Sequence, residues 1–287
     1  MSKGETLMPR REFLPIIVAL TAALTGCRAA DYEIVKADRR DPESPAITKR
    51  SVLPDEGGPS NQYGHANGYE AVFENAAPHF RAFPPLGGNP CGKRVLTSRT
   101  ARAHRCQWAT NASPFNMESG ACDCGIAISD GVAYGTGGWD HAQFGVTQGG
   151  DWVIGTIDAS VAAALNVTQS INGHLGWLVR DGAVALVPYD NSTVAPRTAI
   201  GVRRDGRLLS LEVDGCEPQK GCSWSLGKTL HAMAELLVQR GALHAINLDG
   251  GGSSAVYSDG EIINHPTDAD VWRLRDERAV TTIACVV

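Results

Sequence analysis

The most restrictive feature of this sequence is its many short apolar runs, broken by turn residues, set against a single stretch of helical period. Trp152–Ile157, Leu175–Val179, Ala183–Pro188, Thr198–Val202, Leu208–Val213, Ala245–Leu248, Ser254–Tyr257 and Val280–Val286 all read as strands. The Asp-Gly pairs in Arg180-Asp181-Gly182 and Arg204-Asp205-Gly206 suit hairpins, because they supply the positive-φ positions of a tight turn. Leu226, Leu230, Met233, Ala234 and Leu237 recur at helical spacing. With Ser225 placed to cap the start and Gly241 to end it, they predict a helix over 225–240. Strands and helices do not alternate regularly. The expected fold is therefore α+β, with a mixed or largely antiparallel sheet and few helices, and not a doubly wound parallel sheet.

Composition sets the boundaries. From about residue 66 the chain is globular in character, with no internal linker or repeat, so 66–287 reads as one domain. Residues 28–65 are polar, charged and rich in Pro, Gly and Ser, and read as a tether and irregular lead-in. The net charge of -5 and pI near 5.9 argue against nucleic-acid binding, which usually shows a basic face. No apolar run reaches the ~18 residues of a spanning helix.

The first 27 residues read as an export signal. Arg10-Arg11-Glu12-Phe13-Leu14 precedes a short apolar stretch from Ile16 to Leu24, in the manner of a twin-arginine signal. Leu24-Thr25-Gly26-Cys27 is lipobox-like and makes Cys27 a candidate for lipidation, which would be the protein's only contact with a membrane. The expected location is the bacterial cell envelope. Setting Cys27 aside leaves an odd number of the 8 cysteines, which export makes candidates for disulfides. Cys216 and Cys222 bracket a turn-rich loop that a local bridge could staple.

Chemistry concentrates in one segment, Asn247-Leu248-Asp249-Gly250-Gly251-Gly252-Ser253-Ser254. Consecutive glycines are entropically costly, and a chain keeps them where backbone must approach something closely or φ must be positive. Two readings stand at this point: a plain glycine hairpin with Asp249 in an Asx-turn role, or a nest of amides for anionic oxygens with Asp249 as base, nucleophile or charge stabiliser. Arg197, at the mouth of an apolar strand, offers a donor fork matched to phosphate or carboxylate, although an arginine there is more often a solvated flank. Asn111, near the end of a short run, is a candidate for holding a sugar hydroxyl. The 8 histidines are scattered without metal-ligand spacing, and no Gly-x-Ser-x-Gly elbow occurs. Neither a metal nor a cofactor is expected, and a serine-hydrolase triad is poorly supported.

Taken in order, Arg197-Thr198-Ala199-Ile200-Gly201, Ala234-Glu235-Leu236-Leu237 and Ala245-Ile246-Asn247-Leu248-Asp249-Gly250-Gly251-Gly252-Ser253 resemble the core of the phosphodiester glycosidase family. Ala142-Gln143-Phe144-Gly145, Trp177-Leu178-Val179-Arg180-Asp181-Gly182 and Val271-Trp272-Arg273 extend the resemblance, which covers roughly residues 85–287. It implies a hydrolase that cleaves a sugar-1-phosphodiester, α-N-acetylglucosaminyl in type, to free sugar and phosphomonoester, with a phosphorylated glycan or sugar phosphodiester as partner. It further implies Asp249 and Arg197 as catalytic residues. Asn111, Asn247, Gly250, Gly251, Gly252 and Ser253 would bind substrate, and Asp130, Asp214 and Glu118 are the candidates for a second carboxylate. The family's cysteine pattern implies Cys91–Cys122 and Cys106–Cys285 bridges. One departure stands out: the family's Asn-Gly-Gly-Phe-Phe is Asn111-Ala112-Ser113-Pro114-Phe115 here, where Pro114 removes a donor and restricts Ser113. That change keeps a second expectation open, a non-catalytic surface protein that binds phosphorylated glycans.

Overall fold

In the computed structural model, residues 31–39, 47–51, 68–85, 92–120, 126–135, 141–185, 193–215, 227–267 and 276–287 are described. The export signal, Cys27, Cys91, Cys122, Cys124, Cys216 and Cys222 lie outside them. Residues Asp31–Val287 form one compact unit, which begins well before the boundary expected at 66.

Every pairing between strands among the described residues is antiparallel. Six-, seven- and five-stranded sheets carry the fold. The seven-stranded sheet runs in the order Ala183–Val184, Trp177–Arg180, Ala242–Asn247, Arg197–Arg203, Leu208–Val213, Gly68–Phe73, Ile47–Ser51. Its central strands match their expected positions closely, because each is a run of buried residues flanked by turns. The expected strand over 280–286 is divided into Ala279–Val280 and Ile283–Val286.

Tyr32–Val35 and Ile47–Ser51 fall inside the segment read as an irregular tether. Each is an outermost strand of its sheet and pairs along one side only, Tyr32–Val35 with Trp152–Gly155 and Ile47–Ser51 with Gly68–Phe73. Edge strands of this kind are held by main-chain pairing and need little apolar alternation, so composition hides them.

One buried cluster joins all three large sheets, with Phe144, Trp152 and Ile171 from the first, Phe73, Ile200 and Ile246 from the second, and Trp108 and Val256 from the third. The polar tips of both tryptophans are satisfied: Trp108 Nε1 donates to Ser210 Oγ at 3.1 Å and Trp152 Nε1 to the Gly206 carbonyl at 2.9 Å. The outer face of the seven-stranded sheet is covered by the helix Leu230–Gln239, which buries Leu230, Met233, Ala234, Leu236 and Leu237 against Leu178, Ala199, Leu209 and Leu211. The cap of this helix is Thr229, whose Oγ1 accepts from Ala232 N at 3.1 Å, in place of the expected Ser225. Gly241, at φ 78, follows its end as expected.

The Cys106–Cys285 bridge is present, with a Cα–Cα distance of 5.7 Å and a sequence separation of 179. It ties the chain end to the segment before Trp108–Asn111. Replacing both cysteines by serine is expected to cost about 2–5 kcal/mol. At the ~2–4 °C per kcal/mol of a domain this size, thermal unfolding should then fall by about 5–15 °C. An unchanged melting temperature would show that the bridge contributes nothing to the fold.

Candidate active site

The Gly-rich segment leaves the end of Ala242–Asn247, a strand inside the seven-stranded sheet between Trp177–Arg180 and Arg197–Arg203. Leu248 N donates to the Thr198 carbonyl at 2.8 Å, and Asp249 N to the Ala112 carbonyl at 2.9 Å. The chain then turns through a 3-10 turn at Gly251–Ser253 before Val256–Ser258 joins the five-stranded sheet. The loop therefore bridges two sheets.

The glycines serve close packing. A Cβ on Gly250 would lie 2.9 Å from the Pro196 carbonyl oxygen, and Gly251 sits at φ 59. Three of the loop's amides have partners within the protein. Gly250 N donates to Asp249 Oδ1 at 3.1 Å, Gly251 N to Pro196 O at 2.9 Å, and Ser253 N to Gly250 O at 3.2 Å. Ser253 is buried, and its Oγ accepts from Arg278 Nη1 at 3.2 Å.

Exposure divides the expected site residues into two groups. Asp249 and Gly250 are half-buried and form the accessible lip of the loop. Asn111, Asn247, Gly251, Gly252 and Ser253 are buried beneath it. Asn111 is 0% exposed, and its amide is a three-way tie. Its Nδ2 donates to the Asp249 carbonyl at 2.6 Å, while its Oδ1 accepts from Thr198 Oγ1 at 2.9 Å and Ala255 N at 3.2 Å. That is a position for fixing the loop from beneath. Asn247 is also turned to the scaffold: its Nδ2 donates to the His174 carbonyl at 3.1 Å. The replaced stretch beside Asn111 belongs to the same scaffold. Ser113 N donates to Thr282 Oγ1 at 2.8 Å, and Ser113 Oγ accepts from Asn172 N at 3.0 Å.

Arg197 lies next to the loop and is only 7% exposed. Its Nε donates to the Lys228 carbonyl at 3.0 Å and its Nη2 to the Thr193 carbonyl at 2.8 Å. Two donors of the expected fork are thus taken by main chain, so what Arg197 brings to the lip is mainly its charge.

Two histidines that sequence spacing did not bring together also stand here. His174 N donates to the Asn247 carbonyl at 2.7 Å, and the rings of His141 and His174 are 6.2 Å apart. Burial first, then the nearby His141 and Arg197 charges, hold His174 below its ordinary value of 6.5, which keeps it neutral at pH 7. No local motif could have announced this meeting, since it depends on the register of distant strands.

Of the candidates for a second carboxylate, only Asp214 approaches the loop. Its Oδ1 accepts from Asn264 Nδ2 at 3.2 Å, and the same Nδ2 donates to the Ser254 carbonyl at 3.2 Å. Asp130 accepts from Gln169 Nε2 at 2.6 Å and lines a separate cleft of about 570 Å³ with Arg39 and Arg81, a cleft to which no loop residue contributes. Glu118 is exposed in a turn capped by Asn116. Glu212, beside Asp214, had no place in the sequence reading.

A family described as phosphodiester glycosidase matches residues 104–287. N-acetylglucosamine-1-phosphodiester alpha-N-acetylglucosaminidase of Homo sapiens is 30% identical over 229 residues, which is 72% of this chain and 43% of that protein. The Bos taurus protein of the same name is 31% identical over 230 residues, 72% of this chain and 42% of that one. The chain thus spans less than half the length of these relatives. The zebrafish catalytic domain of that name, auto-inhibited by its pro-peptide, superposes with a TM-score of 0.73 at 24% identity, covering 90% of this chain and 88% of that one. The likeness extends to the whole fold.

Proposed function

Because the chain belongs to the phosphodiester glycosidase family, we propose that it hydrolyses sugar-1-phosphodiesters, α-N-acetylglucosaminyl in type, with the Asp249 loop as its catalytic site. The observation that carries this reading is the loop itself. Within the family-matched region, one carboxylate stands at an accessible lip while the backbone beneath it is tied to both sheets.

The chemistry suits that arrangement. Breaking the bond between the anomeric carbon and the phosphodiester oxygen releases a phosphomonoester, which is a weak base. Such a leaving group needs little general-acid help and benefits from nearby positive charge. Asp249 takes a proton from water as the water oxygen bonds to the anomeric carbon, and the C–O bond electrons leave with the phosphate. The charge of Arg197 favours the phosphate side. Proton and electron pair are both accounted for, and no cofactor enters. An exported protein held at the cell envelope would meet such substrates as phosphorylated surface glycans.

The scope of the site is tested by turnover of a panel of sugar-1-phosphodiesters beside equilibrium binding to each. Product from the α-N-acetylglucosaminyl member, with slower release from other sugars, is the expected result. Binding across the panel without any product would replace the enzyme with a surface binding protein for phosphorylated glycans.

A further inference from the structure

Beneath the loop two carboxyls are buried side by side. Glu212 is the next-to-last residue of its strand and Asp214 lies two residues on, so the two project to the same face. They are 0% and 2% exposed. Both accept from Nδ2 of Asn264, Glu212 Oε1 at 3.0 Å and Asp214 Oδ1 at 3.2 Å, which sets the two carboxyls against one amide. Asp214 Oδ1 takes His265 N as well, at 2.8 Å. Asn264 also reaches the loop: the two N–H of Nδ2 are shared with the Ser254 carbonyl at 3.2 Å, and Oδ1 accepts from Val256 N at 2.7 Å.

Two carboxylates in a dry interior repel each other and forfeit hydration, so such a pair keeps one proton between them. Burial first, then the charge of Asp214, pushes Glu212 well above its ordinary 4.5. The other titratable or charged side chains on the flanking elements are Tyr69, directly opposite Glu212, and Glu70 on one neighbouring strand, Arg197, opposite Val213, and Arg203 on the other, His265 beside Asn264, and Arg278 against Ser253. Thr198, opposite Glu212 on the other side, is the residue whose hydroxyl donates to Asn111. Entrance and exit of the loop are therefore held by two networks that meet across one pair of strands.

We propose that Glu212 is a positioning residue for the Asp249 loop: its protonated carboxyl, with Asp214, holds Asn264, and Asn264 holds Ser254 and Val256. This rests on the reading of the loop as the catalytic site. Ionising Glu212 puts two charges at one amide and loosens the exit of the loop. The retained proton favours the folded chain fully below the ordinary carboxylate value of 4.5, and that contribution is lost as pH rises through the higher folded value.

The test compares Glu212→Gln and Glu212→Ala with the intact chain. Glutamine offers Asn264 a carbonyl and Asp214 an N–H at every pH, and so imitates the protonated acid. Glu212→Ala is expected to lose about tenfold or more in kcat with KM within about twofold. Glu212→Gln should stay within about twofold of wild type near pH 6 and lack the alkaline decline expected of wild type. Its melting temperature should gain on wild type as pH rises. Amide exchange over residues 250–256 reads the loop directly: protection should fall in Glu212→Ala at all pH and in wild type at alkaline pH, and persist in Glu212→Gln. A shared alkaline limb in wild type and Glu212→Gln, or wild-type kcat and protection in Glu212→Ala, would overturn the proposal. If no variant turns substrate over, the exchange pattern still decides the positioning role, while that silence counts against the catalytic reading alone.

Discussion

Asp249→Asn is expected to fold as the wild type does and to lose about 10²–10⁴-fold in kcat on an α-N-acetylglucosaminyl phosphodiester. The substitution is nearly isosteric at a half-buried lip. The contact by which Gly250 N donates to Asp249 Oδ1 at 3.1 Å survives because an asparagine oxygen accepts equally well. The main-chain anchors from Asn111 Nδ2 to the Asp249 carbonyl and from Asp249 N to the Ala112 carbonyl do not involve the side chain at all. What disappears is a carboxylate able to take a proton. Substrate affinity should therefore change little, and the loss should fall on kcat. A variant that keeps more than about a tenth of wild-type kcat would remove Asp249 from the chemistry. A variant that melts far below wild type would show that its carboxylate is structural.

The second large effect is on stability. Asn111→Ala deletes one donor and one twice-used acceptor from a fully buried site, leaving the Asp249 carbonyl, Ala255 N and Thr198 Oγ1 without this partner. Stranding a buried polar group costs about 1–3 kcal/mol, and three such groups in one network do not add in full. A net loss of about 3–4 kcal/mol is expected, seen as a fall of roughly 10 °C in melting temperature. Activity should fall with it even where the variant is folded, because the Asp249 carbonyl has lost its tie to the scaffold. Wild-type stability in Asn111→Ala would mean that the loop is held elsewhere. Wild-type stability with weakened substrate binding would instead restore Asn111 to the sugar.

Much of this architecture can be read from the sequence, for identifiable reasons. Leu208–Val213 shows as a strand because it is a buried run with a turn at its head, and its observed span matches the expected one. The helix over Leu230–Gln239 shows because one face packs on a sheet, yet its first residue was misplaced, since Ser225 and Thr229 are both competent caps. Val167–Asn172 was missed because its buried positions include Gln169, Ser170 and Asn172, polar side chains that break the expected alternation.

The site divides in the same way. Three glycines after an aspartate mark a loop under geometric constraint, and Asp249 at the lip follows directly. The direction in which the amides and Asn111 point does not follow, because it depends on Pro196, Thr198 and Ala255, which other strands bring in. Composition makes a glycine loop look like an anion nest whether its N–H groups face out or in. The Glu212–Asp214–Asn264 network was beyond reach for a related reason: it joins the end of one strand to a turn that follows another pair, and neither segment carries a motif.

The central claim is that the Asp249 loop breaks the bond between an anomeric carbon and a phosphodiester oxygen. A ³¹P NMR time course on a defined α-N-acetylglucosaminyl phosphodiester, run with wild type and Asp249→Asn side by side, tests it most directly. The account predicts that wild type converts the diester resonance to a phosphomonoester as free sugar appears in equal amount, while Asp249→Asn binds the diester and leaves it intact. Equal conversion by both proteins, or binding by both with no conversion, would contradict it.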